Sequence, residues 1–266
     1  MTVDVAARLR AARGGRLRRA RATIVLALRM MLYDKPKLIG TTLGVVFAVV
    51  LAAQQLGVLF GLLQKNTMFV DNARAQLWIV PPNTSQTAPG QRLSTALLDQ
   101  ARATPGVAVA APLLMVGTSV SKPGGGSEAT TLVGFDLDLG LGGPWNIVAG
   151  DVAALRGPDA LFFEDAQREK FGGLNLGSVR EVGGHKVRVV GFTWGLQPFG
   201  PPFSFADLDT VRDLGDVPSD QLSFVLVTLT PDADPAVVAA ELAARCPGAE
   251  VISTTAFHDR IVSTLL

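Results

Sequence analysis

The sequence predicts a membrane-anchored α/β protein: one N-terminal transmembrane helix, then a two-lobed domain in which a mostly β lobe is inserted into a split βαβ lobe. Three observations predict it. Residues 38–63 (LIGTTLGVVFAVVLAAQQLGVLFGLL) run without a charged side chain. A strand, a helix, a Pro-Gly pair and a second strand follow one another twice, through Thr104-Pro105-Gly106 and through Cys246-Pro247-Gly248. Between the two copies lies a stretch rich in hairpin signals. With 48% hydrophobic and 18% charged residues, the composition excludes a disordered or fibrous chain, and a lone Cys246 excludes an intrachain disulfide.

The charge is unevenly placed. Residues 1–37 hold ten Lys or Arg and two acids, whereas the remainder holds fourteen basic and twenty-one acidic residues. The charge-free run between them would span about 39 Å as a helix, and a hydrocarbon layer needs about 30 Å. A cleavable signal has an apolar core of only about 7–15 residues. The run is therefore assigned as a permanent span. Basic residues flanking a span stay in the cytoplasm, so the N-terminus is expected inside a bacterial inner membrane and residues from about 66 onward in the periplasm or cell exterior. Beside a span, the basic arm is read as an orientation and lipid signal, not as a nucleic-acid surface.

Within the run, Gly40, Gly44, Ala48 and Ala52 recur every four residues, with Gln55 following; such a stripe lets a second helix approach closely. Packing against partner helices and plain anchoring both satisfy this pattern. Before the run, residues 21–33 (RATIVLALRMMLY) read as a short helix, either lying on the inner leaflet or extending the span.

From about Phe69 the sequence becomes that of a soluble α/β domain. Residues 75–80 predict a strand, and residues 94–103 a helix with Ser94 as N-cap. Residues 107–120 predict a second strand. The later copy has a strand over 221–230, Asp234 as N-cap with Pro235 at the first helical position, a helix over 237–245 and a strand over 249–253. Two such units fold onto each other as a ferredoxin-like layer. In the stretch between, Gly183-Gly184 separates two strand segments as a two-residue hairpin, and Lys122–Gly126 joins another pair. Ser204 to Asp207 is read as a capping box for a short helix ending near Gly215.

No residue set assembles into a catalytic, cofactor or metal site. No phosphate-binding Gly-rich loop occurs. His185 and His258 lack the close partner that a zinc helix needs. Cys246 reads as a small buried side chain. Glu164, Asp165, Asp136 and Asp138 read as solvated acids. The Pro/Gly-rich segment from Trp194 to Phe203, with Trp194, Phe199 and Phe203, is the better functional candidate. It reads equally as an exposed contact loop and as a plug for the core.

The order of parts resembles the membrane subunit of MacB/FtsX-type ABC transporters, the DevC-like permeases in particular. The residues that carry the resemblance are LALRMMLYDK (26–35), GVVFAVVL (44–51), Gln55-Leu56-Gly57, Pro105-Gly106-Val107 and VRVVGF (187–192), covering about residues 20–260. The resemblance implies a cytoplasmic arm and elbow helix (1–37), a first membrane helix (38–63), a porter-like periplasmic lobe (66–126 and 217–258) and an inserted second periplasmic lobe (127–216). It further implies a separate ABC ATPase subunit, often a periplasmic adaptor (membrane fusion) protein, contact with membrane lipid and a homodimeric assembly. Cargo would be lipid, drug or peptide, with no covalent chemistry on this chain. The family continues with three more membrane helices, so residues 259–266 are expected to approach a second span that lies on another chain or is lost. A single-pass anchored binding or sensor protein is the alternative reading.

Overall fold

The structure, a computed structural model, describes residues 33–196 and 200–265 together with Thr23, Leu26, Ala27, Arg29 and Met30. These residues fall into two units, one up to Phe60 and one from Gly61 to Leu266. The first unit is helical. Its main element belongs to α1 (Lys35–Asn72), whose most apolar window has a mean hydropathy of 2.2 and buries none of its residues in the protein. A helix with large apolar side chains exposed all round belongs in a non-aqueous medium. Of residues 21–33, the described ones are helical up to Asp34, where the helix breaks; the rest of that stretch lies outside the described residues.

The last turns of α1 belong to the second unit. Residues 64–72 (QKNTMFVDN) contain neither Pro nor Gly to stop the helix, and Thr67, Met68, Phe69 and Val70 are buried there. The helix therefore continues past the end of its apolar run, and Leu63, the last residue of that run, is not its terminus.

Four strands form the first part of the sheet: β1 (Leu77–Val80), β3 (Val107–Ser121), β11 (Phe224–Leu229) and β12 (Glu250–Ser253). Their order is β12-β1-β11-β3, all neighbours antiparallel. Each βαβ unit thus places a strand of the other between its own two strands, which is the ferredoxin-like interleaving. The connecting helices are α2 (Ala96–Arg102) and α4 (Pro235–Arg245). They cover one face through Leu98, Ala101, Val238 and Leu242, packed with Leu77, Ile79, Val225 and Val227. The other face holds Trp78, Val80, Phe224 and Leu226 against Phe69 of α1 and against Phe257 and Ile261 of the final helix, α5 (Thr254–Leu265). A sheet covered on both sides explains why all four residues of β1 are apolar and buried.

β3 is the seam of the domain. Residues 107–113 pair with β11, and residues 113–121 pair with β4 (Ser127–Phe135). The sheet then continues through β9 (Phe203–Asp207), β6 (Ala160–Glu164) and β8 (His185–Thr193) to β5 (Ile147–Gly150) at the edge. β7 (Val179–Val182) pairs with β8 and, at Val182, returns to Val120 of β3. Strands β3, β4, β9, β6, β8 and β7 therefore close on themselves. Their interior is filled by Leu114, Leu132, Leu161, Phe163, Val189 and Phe192, a packed core of the kind small barrels carry. Gly183 and Gly184 both have positive φ (58° and 87°), as a two-residue hairpin between twisted strands requires.

Several local expectations differ. Ser94 lies in the short strand β2 (Leu93–Ser94), which pairs with β10 (Gln221–Leu222), and Thr95 takes the N-cap position without a side-chain bond. The strand expected over 221–230 breaks at Ser223, whose hydroxyl accepts from Met115 N at 2.9 Å and from Arg92 Nη1 at 2.6 Å. Ser204 is not a cap. It sits inside β9 with its hydroxyl 2.7 Å from Thr130 Oγ1, because flanking Phe203 and Phe205 bury the segment as a strand. The cap of α3 (Leu208–Leu214) is Asp207, which accepts from Asp209 N. Asp234 caps α4 as expected, accepting from Ala236 N at 2.8 Å.

Residues 259–265 lie within α5, and Ile261 is buried in the domain core. Arg260 of α5 is doubly bonded to Glu250 of β12, with Nη1 donating to Oε2 at 2.8 Å and Nη2 to Oε1. Those hydrogen bonds hold the Glu250 carboxyl below its ordinary value of 4.5. A carboxylate with a lowered folded pKa contributes stability above its unfolded pKa and loses it as pH falls through the folded one. The pair is about one-third exposed, so its worth is of order 0.5–1 kcal/mol. Glu250→Gln is expected to lower the midpoint of urea unfolding slightly at neutral pH, with the difference from wild type vanishing as the pH falls below 4.5; a pH-independent difference would contradict the assignment.

Candidate functional site

The segment after β8 is where the sequence, the end of α1 and the inserted lobe meet in one unit. Its base is built on Glu164, at the end of β6. Glu164 is fully buried, contrary to its expected place as a solvated acid. Its carboxylate accepts from Gly195 N at 2.6 Å, Leu196 N at 3.0 Å and Thr193 Oγ1 at 3.2 Å. β6 and β8 run parallel side by side, which brings the carboxylate under the turn that leaves β8. A buried carboxylate survives where its lone pairs are met by such donors. Nothing in the local sequence distinguishes Glu164 from the adjacent Asp165, so only the pairing of β6 with β8 identifies it.

The turn itself is fixed from four further sides. Gly195 takes φ +81°, a conformation that favours glycine. Its carbonyl accepts from Lys65 Nζ at 2.6 Å, and Trp194 N donates to Asn146 O at 3.0 Å. Leu196 is buried in the core. On the return, Pro202 O accepts from Thr131 N and from Thr130 Oγ1, each at 2.9 Å.

Of the three aromatics expected to act together, the two that are described lie apart in burial. Phe203 is buried on β9, with its ring 5.2 Å from that of Phe69 and 6.3 Å from that of Phe205. Trp194 is 55% exposed. Phe199 lies outside the described residues. Phe203 is thus a core side chain and Trp194 a surface one.

In α1, Gly40, Gly44, Ala48, Ala52 and Gln55 are all exposed, and a Cβ added to Gly40 or Gly44 would meet nothing within 4 Å. Three further groups, Arg92, Cys246 and His258, are tied into the fold. Arg92 bridges Met115 O and Ser223 Oγ across the seam, and burial, followed by repulsion from Arg212, lowers its pKa. Burial raises the Cys246 thiol pKa. His258 Nδ1 lies 2.8 Å from Asp71 Oδ1, joining α5 to the end of α1. Among the described residues, no group of three or more His, Cys, Asp or Glu stands close enough to hold a metal.

Residues 38–245 match the family described as MacB-like periplasmic core domain. The chain belongs to the MacB-like periplasmic core domain family. The match begins at the first residue of the charge-free run and ends with α4, so it takes in that run, the first βαβ unit, the inserted barrel and the strand and helix of the second unit, stopping before β12. The fold is similar to that of the periplasmic region of MacB from Actinobacillus actinomycetemcomitans, with a TM-score of 0.55 at 10% identity, covering 71% of this chain and 93% of that one. Two further structures are similar at lower scores. The extracellular domain of the noncanonic ABC-type transporter YknZ from Gram-positive bacteria has a TM-score of 0.48 at 15% identity, covering 67% of this chain and 98% of that one. A domain of a putative permease protein from Porphyromonas gingivalis has a TM-score of 0.45 at 14% identity, covering 68% and 89%. No curated protein matches the sequence. The MacB-like domain thus follows one N-terminal helix long and apolar enough to cross a membrane.

Proposed function

We propose that this chain is a permease subunit, or the N-terminal part of one, of a MacB/FtsX-type ABC exporter, with α1 as its first membrane helix and the MacB-like domain in the periplasm. The observation that carries the proposal is the direct junction of an exposed apolar helix to a MacB-like core domain within one family match. In this role the chain does mechanical work and no covalent chemistry. A separate ATPase subunit hydrolyses ATP and moves the membrane helices, and the domain transmits that motion to a lipid, drug or peptide cargo, with or without a periplasmic adaptor. The N-terminal arm faces the cytoplasm, where its ten basic residues meet anionic lipid.

Gly40, Gly44, Ala48, Ala52 and Gln55 are the surface offered to a partner helix, including that of a second copy in a homodimer. Because Gly44 has open space around it, Gly44→Leu leaves the fold of this chain intact. Purification in detergent from the native membrane tests the proposal. An ATPase subunit is expected to copurify with the wild-type chain and to be lost or strongly reduced with Gly44→Leu. A wild-type chain recovered alone, in repeated preparations, would favour an anchored binding or sensor protein.

A further inference from the structure

Lys65 is the first charged residue after the apolar run ends at Leu63. At 1.5 Å per residue it stands about 3 Å beyond that end along the helix. Its ammonium donates to Gly195 O at 2.6 Å, so the turn after β8 is tied to the helix at the level where the span leaves the hydrocarbon. Trp194 precedes that carbonyl. Of the three tryptophans in the chain, Trp78 is buried, Trp145 is half-buried against Phe69, and Trp194 is the one more than half exposed.

The indole is presented on a held backbone. The backbone N–H of Trp194 donates to Asn146 O, and those of Gly195 and Leu196 donate to the Glu164 carboxylate. The edge strand beside it, β5, adds Ile147 and Val148, 38% and 56% exposed, with Ile147 paired opposite Thr193. An exposed tryptophan, an apolar edge and a lysine at a helix exit form the combination that the bilayer interface favours. There the indole ring enters the headgroup layer with its N–H still hydrated, and the lysine stem lies along apolar surface with its charge in water. In water alone, the same cluster would leave an apolar strand edge unprotected.

We propose that Trp194, with Ile147 and Val148, docks into the interface of the membrane leaflet from which α1 emerges, seating the domain on the bilayer instead of leaving it on a free tether. The proposal rests on reading α1 as a membrane span. The consequence is a fixed standoff, so that a movement of α1 is passed to the domain and not absorbed by a loose joint.

The test uses the full chain reconstituted in phosphatidylcholine vesicles, with and without bromine on the upper acyl carbons, and flotation to separate vesicle-bound protein. Brominated lipid is expected to quench part of the wild-type tryptophan emission, and Trp194→Phe is expected to lose that quenchable part while keeping its far-UV circular dichroism. Val148→Asp, which leaves every tryptophan in place, is expected to reduce the quenching. Quenching of the same fraction in wild type and Trp194→Phe overturns the proposal. So does Trp194 emission that responds to aqueous acrylamide and not to lipid, or that is shielded from both, the last placing a protein partner on the ring. Protein that fails to float overturns the span and the proposal together, whereas protein that floats without lipid quenching of Trp194 overturns the proposal alone.

Discussion

Phe69→Ala is expected to destabilise the MacB-like domain by about 3–5 kcal/mol, the range for removing a fully enclosed aromatic ring. Phe69 is 1% exposed and lies edge-on to three rings, Trp78 at 6.3 Å, Trp145 at 5.9 Å and Phe203 at 5.2 Å. Those partners come from β1, the segment before β5, and β9, so one side chain of α1 joins the split βαβ layer to the inserted barrel. Truncation leaves a cavity that the rigid strands on either side cannot close. The loss should appear as a fall in the urea midpoint of the domain with the slope unchanged. It should exceed that of Phe163→Ala only in its second consequence, the loss of the helix's hold on the domain. Limited proteolysis after Lys65 should therefore accelerate in Phe69→Ala and not in Phe163→Ala, whose ring packs on Phe171 inside the barrel. Equal proteolysis in the two variants would contradict this role.

The second large effect is expected at Glu164. Replacing it by Ala leaves the N–H groups of Gly195 and Leu196 without their acceptor and the hydroxyl of Thr193 with only its longer bond to Phe163 O, at 3.4 Å. Each buried, unsatisfied donor costs about 1–3 kcal/mol, so a total loss of roughly 3–5 kcal/mol is expected after water enters the site. Glu164→Gln is the sharper comparison, because its amide matches the carboxylate in shape yet turns donors toward donors. It should recover less than half of the loss. Hydrogen exchange reads the local effect: protection at Gly195 and Leu196 should collapse in both variants while β1 and β11 stay protected. A variant with full wild-type stability would show that the carboxylate does not hold the turn.

Much of the architecture could be read from the residues because the signals are local. The charge-free run, the Asp234-Pro235 helix start, the Gly183-Gly184 hairpin and the paired strand-helix-strand order all depend on neighbours within a few positions. What could not be read depends on contacts between distant segments. The return of Val182 to Val120 closes the inserted strands on themselves, and no periodicity announces it. The Ser204 to Asp207 pattern satisfies a capping box and a period-two strand equally well, and burial of Phe203 and Phe205 decides for the strand. The candidate site followed the same division. Its Pro, Gly and aromatic content marked the segment, whereas the inward turn of Phe203, the outward turn of Trp194 and the buried Glu164 beneath them needed the pairing of β6, β8 and β9.

Thiol labelling of intact spheroplasts decides on which side of the membrane the domain lies. The native Cys246 is fully buried and its thiol pKa is raised, so it gives a silent background to a membrane-impermeant maleimide. Against it, Ser219→Cys lies on an exposed turn of the domain, and Arg10→Cys lies in the basic arm. With residues 38–63 crossing the inner membrane and the domain outside, Ser219→Cys is labelled in intact spheroplasts and Arg10→Cys only after lysis. Labelling of Arg10→Cys from outside, with Ser219→Cys protected until lysis, would put the domain in the cytoplasm and rule out the proposed topology.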